Sequence, residues 1–318
     1  MRHQDATTLH RSNAEATEEG AGGRFYYGWV MLPIATLAMI ATSPAQTFGI
    51  SAFNDSFRRA FDLSNSELSG AYMIGTLLAA LPMSHIGGLA DRHGLKRTMT
   101  VVIFLFGLAC LAVTQVAGLI TLLLAFMALR MLGQGALGLL SGNTLPYWFE
   151  RRLGTVEGLR QFGMAGAIAT VPAVLLWLVG TVGWRWAYAI VGLSLWAVML
   201  PLMVFFKNHP SEVGQRMDGL AEPSERDRDV LPVDATQAFD LSAARRTGAF
   251  WIVAGATAIW SMTFTAVTFN IVPMVTSRGL AAADAGMLFF VFGITLAAAQ
   301  LVGGLLADRM PLHLLLAA

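Results

Sequence analysis

The chain has 318 residues, 55% of them hydrophobic and 13% charged, with a formal net charge of +1 and a mean hydropathy of +0.59. Soluble domains carry about 25% charged residues, so this composition excludes an ordinary soluble fold; the balanced charge says nothing about acidic partners, and no nucleic-acid partner is expected. A single cysteine, Cys110, excludes an intrachain disulfide and points to no thiolate metal site.

In chain order, residues 1–24 are polar and of mixed charge. They lack the basic start and short apolar core of a cleaved signal peptide and read as a disordered cytoplasmic tail. A membrane-spanning helix needs about 20 apolar residues. Eight segments meet that length: 27–50, 67–90, 98–116, 119–142, 156–179, 185–206, 249–274 and 284–307. The fold class is therefore all-α and integral to a bilayer. Within the first segment Pro44 stands beside Gln46, where a proline breaks the helix and frees carbonyls. Between the second and third lies the densely charged loop Gly87-Gly88-Leu89-Ala90-Asp91-Arg92-His93-Gly94-Leu95-Lys96-Arg97. Gly87 there lets a neighbouring helix approach closely. Asp91 is placed to accept backbone N–H groups at a helix start. Gly94 permits a tight turn, and Lys96 and Arg97 hold the loop in the cytoplasm.

Arg130 lies midway along the fourth segment, where a charge costs at least about 2.5–3.5 kcal/mol. It must face a polar cavity or a partner. Glu157 and Arg160, one turn apart near the start of the fifth segment, read as an interfacial ion pair. Other polar positions in apolar helices are Gln46, Gln134, Asn143, Gln161, Asn270 and Gln300, divided between a solute path and bonds between helices. Residues 207–248 contain Pro210, Pro223 and Pro232 among charges and read as a linker. After it, Gly304-Leu305-Leu306-Ala307-Asp308-Arg309 repeats the charged loop in weaker form, as in duplicated transporter bundles. With the N-terminus inside, sixteen Lys and Arg fall on the cytoplasmic side. Four (Arg58, Arg59, Arg185 and Arg278) fall outside, and Arg130 lies in the membrane. No ATP-binding G-x-x-x-x-G-K-[ST], metal spacing or nucleophile motif occurs.

The loop from Gly87 to Arg97 resembles the signature of the major facilitator superfamily, G-x-L-A-D-R-x-G-x-K-R, and sits where that family carries it, with Leu95 at one favoured basic position. Tyr27-Gly28-Trp29, Gln46-Thr47-Phe48-Gly49, Arg151-Arg152-Leu153-Gly154 and Pro210-Ser211-Glu212-Val213-Gly214 are similar to the bacterial branch resembling monocarboxylate transporters. The resemblance implies a six-helix bundle over 25–206, a cytoplasmic linker over 207–248, and the beginning of a second bundle over 249–318. Four spans are then wanting, so the chain is expected to be a fragment of about two-thirds of a family member. It implies a secondary active transporter of the cell inner membrane, without cofactor. Such a protein moves a small solute, a monocarboxylate or other organic anion, by alternating access with the proton as coupling ion.

A gate is implied at Gly87, Asp91, Arg92, Gly94, Lys96 and Arg97, with Asp308 and Arg309 in the second copy. Substrate or coupling candidates are Arg130, Gln46, Arg160, Gln161, Asn270 and Gln300. Family members carry a span-four arginine followed by glycines, matched in part by Gly133, Gly135 and Gly138. In the eukaryotic relatives a span-eight arginine binds the carboxylate; Gln300 stands there, and Leu296 stands where they have an aspartate. Their span-one lysine falls at Gln46 or Thr47. The alternatives are a transporter-like membrane sensor, which binds without flux, and a polytopic membrane enzyme, which needs a catalytic cluster at one face.

Overall fold

The computed structural model describes residues 25–219, 245–281 and 283–307. The expected tail 1–24, the middle of the linker, and Asp308 and Arg309 lie outside the described residues. Every regular element among the described residues is a helix. In hydrocarbon each backbone N–H and C=O must be satisfied within its own segment, which is what a helix does.

Seven helical stretches are long and apolar enough to cross a membrane: Gly28–Ser51, Asn65–His93, Leu95–Val113, Leu119–Tyr147, Leu153–Phe205, Gly248–Ser277 and Asp284–Gly303. The fifth has 53 residues, about 80 Å if continuous, against a hydrocarbon core of about 30 Å. It is in fact two spans, because Gly183 breaks it at φ 79°, ψ 161°. Spans five (153–182) and six (184–205) thus form a hairpin with almost no loop, and the eight expected segments are all present. Large apolar side chains such as Ile120, Trp177, Ile252 and Met262 are exposed, as lipid-facing residues are.

The ends of the helices are tied in two groups. At one end, here the linker end, the start of span one, the turns 94–97 and 147–152, and residues 206–219 are hydrogen-bonded together. Tyr27 N–H donates to Gln215 Oε1 at 2.8 Å, and Tyr27 Oη to the Phe205 carbonyl at 2.6 Å. At the far end Arg185 donates to the carbonyls of Thr114 and Val116, both at 3.0 Å, and lies over the Trp184 ring at 4.1 Å. Phe53, Phe57, Trp184 and Tyr188 fill that end with ring contacts of 4.2 to 6.3 Å.

Spans seven and eight meet the first six through Phe48, Met164, Val272, Val275, Ala285 and Phe289, all buried in one apolar cluster. Pro273 lies within span seven. Proline has no N–H, so the carbonyl four residues earlier, that of Phe269, has no helical partner. Asn54, from the connector after span one, donates its Nδ2 to that carbonyl at 3.0 Å. Span seven is buried only in its far half, at Thr268, Phe269, Val272 and Val275. Its linker half, residues 248–263, is exposed to the side of the bundle.

Candidate functional site

Span one is interrupted where Pro44 suggests. A short 3-10 turn, Ser43–Ala45, ends at Gln46 in extended conformation (φ −75°, ψ 156°), and the helix restarts at Thr47. Because Gly49 N–H bonds Gln46 rather than Ala45, the Ala45 carbonyl is released into the bundle. Arg130 Nη1 donates to it at 3.4 Å. The residues Arg130–Leu137 of span four are wound as a π-helix, a wider turn that recurs at functional sites. Gly133 makes this crossing possible, since a Cβ there would collide with Ala45 and the Phe106 ring.

Arg130 is only 7% exposed. Its Cζ lies 5.2 Å from the centre of the Tyr72 ring in span two, and its Nε has no partner among the described residues. Tyr72 shares a hydrogen bond with Thr47 Oγ1 at 2.8 Å and stacks on Phe269 of span seven at 4.5 Å. A buried guanidinium offers five donors; among the described residues a long bond to a carbonyl and the Tyr72 side chain answer it. Gln46 donates to Thr42 Oγ1 at 2.9 Å, and Gln134 has a buried Oε1 without a partner among the described residues.

The second buried cation is Arg160, 5% exposed. Its Nε and Nη2 both bind one carboxylate oxygen, Glu157 Oε2, at 2.8 and 2.7 Å. Nη1 reaches Met39 Sδ of span one at 3.0 Å and Ser141 Oγ of span four at 3.4 Å. Ser141 in turn donates to the Ala35 carbonyl at 2.9 Å. Arg160 is therefore enclosed by spans one, four and five. Gln161 is half-buried beside it. Asn270 is exposed and bonds its own helix through the Ala266 carbonyl, and Gln300 has a buried, unpartnered Oε1.

The signature loop is built differently from a simple turn. Gly94 has φ 82°, ψ 153°, a conformation reserved for glycine. A Cβ there would lie 3.2 Å from Asn208 Oδ1. That oxygen accepts the Lys96 N–H at 2.8 Å, capping span three from outside because Gly94 has no side chain to do so. Glu212 Oε1 fixes Asn208 through its N–H and Nδ2, at 3.1 and 3.0 Å, and Lys96 Nζ donates to the Val204 carbonyl at 3.2 Å. Asp91, Arg92 and Arg97 are exposed, and no hydrogen bond of the Asp91 carboxylate is found among the described residues. Gly87 has open space around it, with no described helix at hand.

Next to this loop, Asp218 Oδ2 accepts the N–H groups of Glu150 and Arg151 at 3.0 and 2.8 Å, and Asp218 N–H donates to the Trp148 carbonyl at 3.0 Å. The Tyr26 hydroxyl also bonds the Trp148 carbonyl. Burial pushes its pKa up to about 12, so it remains a donor. Sequence reasoning missed Tyr72, Ser141, Asn208 and Asp218. Tyr72 and Ser141 carried a signal, a hydroxyl inside an apolar helix.

The profile of the Major Facilitator Superfamily matches residues 25–318. The chain is also similar to "MFS-type transporter dbaD" of Emericella nidulans, with 29% identity over 147 residues, 45% of this chain and 33% of that protein. It is similar to "Probable sulfoacetate transporter SauU" of Cupriavidus necator, with 28% identity over 133 residues, 41% of this chain and 30% of that protein. The chain thus spans about a third of the length of the curated relatives it matches.

Proposed function

Because the chain belongs to the Major Facilitator Superfamily, a family of multi-pass membrane transporters, we propose that it is a secondary active transporter that carries a small organic anion by alternating access, with the proton as coupling ion. Two bundles, 25–206 and the one that 249–318 begins, rock about the linker. The N-terminus is cytoplasmic and the membrane is the cell inner membrane, with the sixteen-to-four bias of Lys and Arg in support. Nothing in the described residues groups His, Cys, Asp or Glu as a metal site, and the protein moves its solute rather than transforming it.

The observation that carries the substrate class is Arg130. A cation this buried, with an Nε unanswered among the described residues and the Tyr72 side chain and a distant carbonyl beside it, is a site prepared for an anion. The name of the second relative, which refers to sulfoacetate, supports the same class. The first bundle's charged loop serves as gate through Gly87, Asp91, Arg92, Gly94, Lys96 and Arg97.

The test is uptake by the whole protein, in proteoliposomes, of acetate, pyruvate, L-lactate and sulfoacetate under an imposed pH gradient. Saturable uptake of at least one is expected. Arg130→Lys keeps the charge but not the planar fork and should lose about tenfold in kcat/KM, with Arg130→Ala losing more. Uptake by Arg130→Ala equal to that of the parent would move the anion site elsewhere.

A further inference from the structure

The geometry points to a second role in the same solute path. We propose that Arg160, which meets span four eleven residues on from Arg130, is a second station for the substrate carboxylate, and that Glu157, which occupies Arg160 in the absence of substrate, carries the coupled proton. This rests on the organic-anion reading above.

Three observations lead here. First, the pair is lopsided. Glu157 Oε2 takes both Nε and Nη2 of Arg160, while Oε1 is buried and has no hydrogen-bond partner among the described residues. A carboxylate that satisfies a guanidinium fully would use both oxygens against two donors. Second, the rest of the Arg160 shell is weak. A thioether and a hydroxyl at 3.4 Å meet Nη1, so a better acceptor can replace them.

Third, Glu157 keeps 28% of its side chain exposed, which gives water a route to it.

The charges balance in the resting state and in the loaded state. In the resting pair the Arg160 cation faces the Glu157 anion. A proton from water binds the Glu157 carboxylate, which becomes a neutral acid and releases Nε and Nη2. The incoming substrate carboxylate takes those donors, so one cation again faces one anion. On the other side the substrate leaves, Glu157 returns its proton to water, and the pair re-forms. Protonation of Glu157 and arrival of the carboxylate are therefore coupled, because either one alone would leave a buried charge unpaired, the state that costs most. Among the described residues Arg160 is the cation within ion-pair distance of Glu157. The groups that spans one and four offer to Arg160, Met39 and Ser141, do not titrate near neutrality. Arg151 and Arg152 stand exposed at the turn before span five. One proton then moves per monocarboxylate, and the cycle is electroneutral.

The experiment uses proteoliposomes with L-lactate, acetate and sulfoacetate as probes, comparing accumulation driven by a pH gradient with exchange between equal pools. Lactate accumulation by the parent should not respond to an imposed membrane potential. Arg160→Gln should lose both activities by about tenfold or more. Glu157→Gln should lose accumulation and its pH dependence, with exchange falling far less. The double variant Glu157→Gln/Arg160→Gln removes both charges together and tests for a merely structural pair; it should stay inactive. Gradient-driven accumulation by Glu157→Gln, recovery in the double variant, or lactate uptake that carries net charge overturns the inference while leaving the anion reading intact. If the parent takes up none of the probes, the anion reading fails and takes this inference with it.

Discussion

Gly94 concentrates two requirements in one position: a positive φ and room for the Asn208 amide. Gly94→Ala is expected to cost about 1–3 kcal/mol of stability. Asn208→Ala, which uncaps span three at Lys96, should cost about 1 kcal/mol. Thermal or denaturant unfolding in detergent checks both, and a glycine replaced without loss would refute the strain. At this scale the sequence was partly readable. Gly94 announced a turn, and Pro44 announced the break that frees the Ala45 carbonyl. The partner of the loop could not be read, because Asn208 lies 112 residues away from Lys96 and only the folded helices bring them together. The segment Pro210–Gly214, noticed for its resemblance alone, now has a physical reason: Glu212 holds Asn208 in place.

Among the elements, span seven is joined to the connector after span one by an arrangement that depends on Pro273. Restoring an N–H with Pro273→Ala lets span seven claim its own Phe269 carbonyl and deprives Asn54 of a partner. Asn54→Ala and Pro273→Ala should therefore be non-additive, with a coupling of about 0.5 kcal/mol or more in a double-mutant cycle on unfolding; simple additivity would mean that the bond carries no weight. All eight spans were legible from apolar length, since lipid imposes about 20 residues on any helix that crosses it. The π-helical turn Arg130–Leu137 was not, because a change in winding leaves no apolar period behind. Gly133 and Gly135 hinted at crowding there without saying that Ala45 and Met83 supply it.

For the molecule as a whole, the expected linker proves in its first part to belong to the first bundle. Gln215 and Asp218 bind span one's start and the turn before span five. Asp91 stands in the last turn of the helix Met83–His93, where the helix dipole disfavours an acid. The gate proposed above gives this carboxylate its role in another arrangement of the bundles. Asp91→Asn is accordingly expected to lower turnover severalfold more than substrate affinity, since it acts on a conformational equilibrium. Binding and flux measured side by side decide this; weaker binding with intact turnover would discard the gate. Reporter fusions after Gly219 and Gly279 should report the cytoplasm and the outside respectively, and the reverse would invert the orientation.

The bond between Asn54 and the Phe269 carbonyl also has a history in time. The ribosome delivers Asn54 first and Phe269 215 residues later, on the order of 10–40 s at bacterial rates of synthesis. Throughout that interval the Asn54 amide, and the Tyr72 ring that will stack on Phe269, wait on a surface still to be covered. The first six helices are thus born with an unfinished polar seam. Emergence of span seven closes it, which makes that helix a late step in maturation.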